Sequence, residues 1–339
     1  MPGLPTPSGA QAFLIAGCWS EDMFSYTVRR VLQLGLVLFG LTVLLFVLLK
    51  TMPGDPARIM AGLGATPESI EVLRQRLGLY DPLYVQYWRL ISGLVNGNLQ
   101  AMTYHKPVWT VIMERLPATA ELGIAAIILA LFVSIPAGLL SAIYRNSPVD
   151  YGVTTAALIG ISIPVFWFAL MLMMVFGVIL HVLPVSGRGE TLFGWSFLTV
   201  DGLRHLIIPT VALSSVLMAL NARLTRASML EVMRQEYINT ARAKGLRERV
   251  VLIKHAFRNA LAPVVTNIGI QIGTIFAGAV LTETTTAWPG IGRLIYDSIL
   301  RRDQSVVFGL ALFMAACYMI SYLLVDLLYA YIDPRITYD

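Results

Sequence analysis

Six stretches of this chain contain no Asp, Glu, Lys or Arg, and each can hold one membrane-spanning helix. They are residues 31–49, 122–144, 151–187, 206–222, 259–282 and 304–325. A spanning helix needs about 20 predominantly apolar residues. The chain of 339 residues is 57% hydrophobic and only 13% charged, about half the charge of an average soluble domain. The sequence therefore predicts an all-α polytopic membrane protein with six transmembrane helices.

The basic residues predict the orientation of these spans. Thirteen Lys and Arg lie in the short segments on the side of the two termini, and five lie in the opposite short loops. Because Lys and Arg are in excess in cytoplasmic loops, we expect both termini to be cytoplasmic. The net charge of +5 is then explained by membrane orientation, and no nucleic-acid partner is expected.

The same pattern divides the chain into segments. We expect a disordered extension over 1–22, with Met23 as an alternative start, and a first transmembrane helix over 23–50. Residues 51–117 are too polar to span and predict a small helical extracytoplasmic segment. In it, Thr66 and Pro67 predict a helix start, Gly78 its end, and Asp81-Pro82 the start of a second helix. That second helix should be interfacial or packed, because its apolar residues share one face; they are Leu83, Tyr87, Leu90, Ile91 and Leu94.

The remaining boundaries follow the charged segments. Residues 118–332 should form a core with five transmembrane helices and a basic cytoplasmic loop near 226–260, and 333–339 a cytoplasmic tail. In the long third stretch, Leu183–Gly187 is expected to be a connector, so a single helix is predicted there.

The spans lack the residues of most catalytic or ion-coupled mechanisms. Ionisable groups that mark ion relays inside membranes are almost absent; Glu121, Glu283 and Asp326 lie near predicted span ends, where pairing with Arg or hydration explains them. There is no phosphate-binding G-x-x-x-x-G-K-[ST] loop and no H-E-x-x-H pair for zinc. We therefore expect no catalytic residues, no metal and no cofactor in this chain.

Uncharged polar residues mark one face of the fourth and fifth spans. They are Asn221 in the fourth span, and Asn267, Gln271 and Thr274 in the fifth. In lipid such groups must point inward. They either line a translocation pathway or form hydrogen bonds between helices, and the sequence favours neither. Gly269 and Gly273, on another face, should allow close contact with a neighbouring helix.

The most specific pattern lies in the cytoplasmic loop, at residues 236–245, EYINTARAKG. A helix is expected from Glu236 to Lys244, with a turn at Gly245. This segment resembles the EAA-type loop of binding-protein-dependent ABC importer permeases, in the dipeptide and oligopeptide permease family. Shorter strings extend the resemblance over about 23–336: PGDP at 53–56, RLPATAELG at 115–123, LPVSG at 183–187, SMLEV at 228–232, LTET at 281–284, WPGIGRL at 288–294, RRD at 301–303 and DPRI at 333–336.

The resemblance implies a type I ABC importer permease of the first-subunit type, in the bacterial inner membrane. Its partners would be a second homologous permease, two ABC ATPase subunits that hold ATP and Mg, and an extracytoplasmic substrate-binding protein. The family usually has Glu where this chain has Asn239, and Tyr-Pro-Val where it has Gln304-Ser305-Val306.

The resemblance also implies roles for particular residues. The expected ATPase-coupling loop comprises Glu236, Tyr237, Thr240, Ala241, Arg242, Ala243, Lys244, Gly245, Leu246 and Arg247. An outer gate or docking surface for the binding protein would comprise Glu283, Trp288, Pro289, Gly290, Arg293 and Asp303; otherwise Trp288 is an aromatic residue of the lipid interface.

Two other functions remain open at this stage. A self-contained secondary transporter or facilitator for small polar solutes would work without ATPase subunits and would normally contain repeats or broken helices around an ion site. A membrane enzyme would need a catalytic constellation, which the sequence does not contain.

Overall fold

A computed structural model describes residues 9–51, 55–62 and 64–332. The described part is almost entirely helical, and its longest helices are α1 (Gly9–Thr51), α5 (Val108–Ile143), α8 (Val200–Val232), α11 (Arg258–Thr285) and α13 (Gln304–Ile332). Four described segments are long and apolar enough to cross a membrane: Thr27–Thr51, Val108–Ile143, Val200–Val232 and Gln304–Val325. The all-α membrane fold is therefore confirmed.

The predicted third span is two helices rather than one. α6 (Pro148–Ser162) and α7 (Val165–Leu172), which continues as a π-helical segment (Met173–Ile179), meet at an angle of 102°. Pro164 has no N–H and forces the preceding residue out of the helical region, and Ile163 is extended at φ −85° and ψ 125°. The prediction of a single helix in this stretch was wrong, and Pro164 was the sequence signal for the break.

The number of spans stays a prediction. Counted as one span, the α6–α7 pair makes five with the four long apolar helices. The expected sixth would be α11, whose 28 residues give a helix of about 42 Å.

The N-terminal boundary also differs from the prediction. α1 begins at Gly9, so residues 9–22, expected to be a disordered extension, are helical. No proline lies between residues 9 and 51, so nothing in this stretch interrupts the helix. Residues 1–8 and the expected tail at 333–339 lie outside the described residues.

Three short helices lie between α1 and α5. They are α2 (Pro56–Ala61), α3 (Pro67–Arg76) and α4 (Leu83–Val95). The expected start of α3 is confirmed, because Thr66 Oγ1 accepts a hydrogen bond from Ser69 N–H. The boundary expected between residues 117 and 118 falls inside α5, which begins at Val108 and continues through Pro117 and Pro136.

The helices on the C-terminal side complete the bundle. α9 (Glu236–Ala243) and α10 (Glu248–Val250) follow α8; a π-helical segment (Val251–Phe257) leads into α11, and α12 (Ile291–Leu300) precedes α13. α5 and α8 form the most extensive helix pair. The predicted close contact of α11 with a neighbouring helix is confirmed. A Cβ on Gly269 would lie 2.2 Å from Val325 Cγ2 of α13, so only glycine fits there.

Candidate functional site

Helix α9, which contains most of the predicted coupling loop, ends in a glycine-dependent turn. Gly245 N–H donates to Arg242 O at 2.9 Å and Leu246 N–H to Ala241 O at 3.4 Å, which is the Schellman pattern. Gly245 has φ +75°, and a Cβ there would meet nothing within 4 Å. The predicted turn is confirmed. The space beside it is open, so a larger side chain would strain the backbone without striking this chain.

Two apolar side chains hold α9 on the bundle. Ile238 and Ala241 are buried, in a cluster with Met229 of α8, Ala142 of α5 and Val251, which begins the π-helical segment before α11. Since α8 and α5 both belong to the membrane core, a push on α9 would be transmitted to two long helices through packed contacts.

The other residues of the predicted coupling loop are exposed. Tyr237, Thr240, Lys244 and Leu246 lie on the surface, as do Glu236, Arg242, Ala243, Gly245 and Arg247. The hydroxyl of Tyr237 accepts a hydrogen bond from Asn259 Nδ2 at 2.9 Å, which ties α9 to the first turn of α11. A surface of this kind can receive a partner without displacing core residues.

The basic residues of this loop differ in whether they form an ion pair within the chain. Arg242 pairs with Glu248 of α10, with Nη2 2.8 Å from Oε1, and this hydrogen bond lowers the pKa of the Glu248 carboxyl. Lys244 and Arg247 are exposed and have no ion pair within the described part of the chain. Of these basic groups, Lys244 and Arg247 are thus the ones available to an acidic partner.

An ion pair between a buried carboxylate and a half-buried Arg, close to the same end of the bundle, was not anticipated from the sequence. Asp150 at the start of α6 accepts from Arg226 of α8, with Nε–Oδ1 2.7 Å and Nη2–Oδ2 2.8 Å, and from Ser141 of α5. Ser147-Pro148 before it marks the helix start, but the partner Arg226 lies 76 residues away. The pair locks α5, α6 and α8 together.

The predicted polar residues of α8 and α11 meet each other. Asn267 Nδ2 donates to Asn221 Oδ1 at 2.9 Å, and Asn221 Nδ2 donates to Gln271 Oε1 at 3.1 Å. Asn221 and Gln271 are buried; Thr274 lies outside the described side chains. Hydrogen bonds between helices explain these amides, and pathway lining stays a prediction.

At the opposite end of the bundle, Glu121 organises a long loop. Its carboxylate accepts from Ser196 N and Oγ, from Phe197 N, and from Arg188 Nη2 at 2.6 Å. The Glu121 side chain is 1% exposed and that of Arg188 14%. The predicted pairing of Glu121 with an Arg is confirmed. This one buried carboxylate fixes the loop between the π-helical segment at Met173–Ile179 and α8.

Trp288 is buried in the same region. It has no exposed surface, its Nε1–H donates to Ala118 O at 2.8 Å, and the Arg188 guanidinium lies 5.6 Å from its ring centroid. A residue of the lipid interface would be exposed, so that alternative for Trp288 is wrong. Its role in an outer gate stays a prediction.

The other residues predicted for the gate are internal supports in this conformation. Glu283 is buried and accepts from Thr119 Oγ1 at 2.6 Å and Arg293 N–H at 3.0 Å. A Cβ on Gly290 would lie 2.3 Å from Glu283 Oε1. Asp303 accepts from Thr103 N–H and caps α13 through Val306 N–H; Pro289 is half-buried.

No cluster of three or more His, Cys, Asp or Glu that could hold a metal occurs among the residues with described positions. The arrangement is that of a helix bundle with the largely exposed helix α9 near one end and a loop held by Glu121 near the other.

Comparison with known proteins identifies this architecture. Residues 134–338 match the binding-protein-dependent transport system inner membrane component family, and residues 23–123 match its N-terminal membrane component. The chain belongs to this family. The permease is therefore a multi-pass inner-membrane protein, as the resemblance predicted.

Relatives match nearly the whole permease. It is 42% identical over 333 residues to the dipeptide transport system permease protein DppB of Alkalihalophilus pseudofirmus, covering 93% of the permease and 100% of the relative. It is 42% identical over 318 residues to the oligopeptide transport system permease protein AppB of Bacillus subtilis. It is 39% identical over 317 residues to the glutathione transport system permease protein GsiC of Escherichia coli. Coverage is 93% of the permease and 100% of the relative for both.

These findings decide between the functions left open by the sequence. The permease is a membrane subunit of a binding-protein-dependent transport system, and the self-contained transporter receives no support.

Proposed function

We propose that the permease forms half of the pathway of an ATP-driven importer of di- and oligopeptides, with both termini in the cytoplasm. The names of two close relatives, a dipeptide and an oligopeptide transport permease, support the peptide substrate. A second homologous permease would supply the other half, and an extracytoplasmic binding protein would deliver the peptide.

ATP and Mg would bind in two partner ATPase subunits, and this chain would perform no chemistry itself. The observation that carries the coupling role is α9, a surface helix seated on the core by Ile238 and Ala241 and ended by a turn with open space around it. An ATPase docked on the exposed face of α9 would move α5 and α8 through that seat.

The mechanism then follows from packing. Closure of the ATPases on ATP would shift α9, and the Arg226–Asp150 ion pair would make α6 follow α8 as one body. The polar contact between α8 and α11, at Asn221, is where two such bodies could separate to open a path lined by amides. Peptide backbones carry the donors and acceptors that amides bind.

Replacement of Gly245 tests the coupling role. In the complex reconstituted with its ATPases and binding protein, we expect Gly245→Trp to be expressed and to insert normally but to abolish peptide-stimulated ATP hydrolysis. Gly245→Ala is the matched control, because it carries the same cost for φ +75°, about 1–2 kcal/mol, without the bulk. Near-normal stimulation in Gly245→Ala is expected, and near-normal stimulation in Gly245→Trp would remove the turn from the coupling interface.

A further inference from the structure

The extracytoplasmic helix α4 is apolar on two faces. One face, with Tyr87, Leu90 and Leu94, packs on the bundle. On the other, Tyr84, Trp88 and Val95 recur at i, i+4 and i+11, and their exposed fractions are 74%, 69% and 78%. The polar residues Gln86 and Arg89 lie on the remaining side of the helix. In the described chain the face with Tyr84, Trp88 and Val95 is uncovered, and an exposed apolar patch of this kind marks a contact with a membrane or a partner.

The contacts of α4 with α1 fix its depth. Tyr87 OH lies 2.6 Å from Thr42 Oγ1, and its ring packs edge-on against Phe46 with centroids 5.4 Å apart. Thr42 is nine residues before Thr51, the end of α1, so it lies roughly 13 Å below the outer end of that spanning helix.

Contacts at the other end of α4 give the same depth. Leu94 O accepts from Trp109 Nε1–H at 3.0 Å, and the Trp109 ring packs edge-on against Phe313 of α13. A Cβ on Gly309 would lie 3.1 Å from Leu94 Cδ1. Gly309 and Phe313 are five and nine residues into α13, which is roughly 7–13 Å from its outer end.

The outer surface of α4 is therefore level with the last turns of α1 and the first turns of α13. α1, on which α4 packs through Tyr87, also has an uncovered apolar face, with Val43, Leu44 and Val47 exposed. Tyr and Trp are the residues enriched where a bilayer meets water, and helices that lie in this zone bury their apolar face about 5–10 Å into it.

We propose that the Tyr84, Trp88 and Val95 face of α4 is inserted into the outer leaflet of the membrane, at the boundary between lipid headgroups and acyl chains. α4 would then be a lateral anchor that holds the outer segment at a fixed height beside α1. The ligand is bilayer lipid, recognised by depth and apolar surface and without a specific headgroup.

Spin-label accessibility in the full-length permease tests this. Cys18→Ser and Cys317→Ser provide the background, and the label is placed at Trp88→Cys, Tyr84→Cys or Val95→Cys in liposomes of phosphatidylethanolamine and phosphatidylglycerol. Collisions with oxygen report lipid, and collisions with a water-soluble nickel chelate report water. The matched controls are Leu36→Cys on the exposed face of α1 and Glu68→Cys on the exposed surface of α3.

We expect the three α4 labels to favour oxygen over nickel as the Leu36 label does, and the Glu68 label to show the reverse. The use of three exposed positions allows for a variant that fails to fold. Preference for nickel at 84, 88 and 95 would overturn the proposal by placing the face in water. Loss of both collisions in the assembled complex would also overturn it, because the binding protein or the second permease would then cover the face.

Discussion

Glu121 shows how one buried carboxylate can hold a loop of a membrane protein. Five donor groups from Arg188, Ser196 and Phe197 converge on it, so its charge is satisfied although it is almost fully buried. Removing one partner of such a pair leaves the other charge uncompensated, which typically costs about 3–5 kcal/mol.

We expect Glu121→Leu to lower the free energy of unfolding by about 3–5 kcal/mol and to reduce the melting temperature of the purified permease in detergent. Glu114→Leu is the matched control, because its pair with Lys106 is exposed and is worth about 0–1 kcal/mol. Equal melting temperatures for the two variants would show that Glu121 does not brace the loop.

The local sequence predicted turns and helix caps, but it did not predict contacts between residues that are far apart in the chain. The turn at Gly245 and the cap at Thr66 follow from short-range backbone needs, and both are confirmed. The partner of Glu121 is 67 residues away, and nothing in the local sequence identifies Arg188 rather than another Arg. Trp288 was ambiguous for the same reason, since its burial depends on Ala118 of α5.

At the scale of elements, the attachment of α9 rests on one large side chain. Ile238 is fully buried, and an Ile to Ala change in such a site costs about 2–5 kcal/mol. We expect Ile238→Ala to loosen α9, so that trypsin cleaves more quickly after Arg242 and Lys244 and peptide-stimulated ATP hydrolysis falls. Thr240→Ala, on the exposed side of α9, is the control and should leave the cleavage rate unchanged. An unchanged cleavage rate in Ile238→Ala would show that Ile238 does not attach α9 to the bundle.

The amides between α8 and α11 can either line a translocation pathway or hold the two helices together, and thiol labelling distinguishes these two roles. If the helices part during transport, Asn267→Cys and Gln271→Cys, without Cys18 and Cys317, should react with a water-soluble thiol reagent in at least one nucleotide state. Glu68→Cys, exposed on α3, is the control for labelling. Protection of both positions in every state would assign the network of Asn221 to helix packing alone.

Helix bounds were predictable where charge or caps define them. α9 and α3 follow their predicted ends closely. The α6–α7 break was missed because counting charges ignores proline, and Pro164 shapes the backbone without altering the apolar pattern. The continuity of α5 was missed for the opposite reason, because its helix tolerates Pro117 and Pro136.

For the whole molecule, hydropathy predicted the all-α membrane class and the loop motif predicted the family, and both are confirmed. The assembly was not accessible to local reasoning. The sequence contains no phosphate-binding G-x-x-x-x-G-K-[ST] loop, and the proposed function assigns ATP hydrolysis to partner subunits. The exposed face of α9 is the surface that such a partner would need.

Gentle affinity purification of the permease from its native membrane, followed by mass spectrometry of the retained proteins, tests this account most directly. We predict recovery of a second, homologous permease together with P-loop ATPases, and weaker retention of the ATPases in Gly245→Trp than in Gly245→Ala. A homo-oligomer that transports peptides in liposomes without any ATPase would contradict the account.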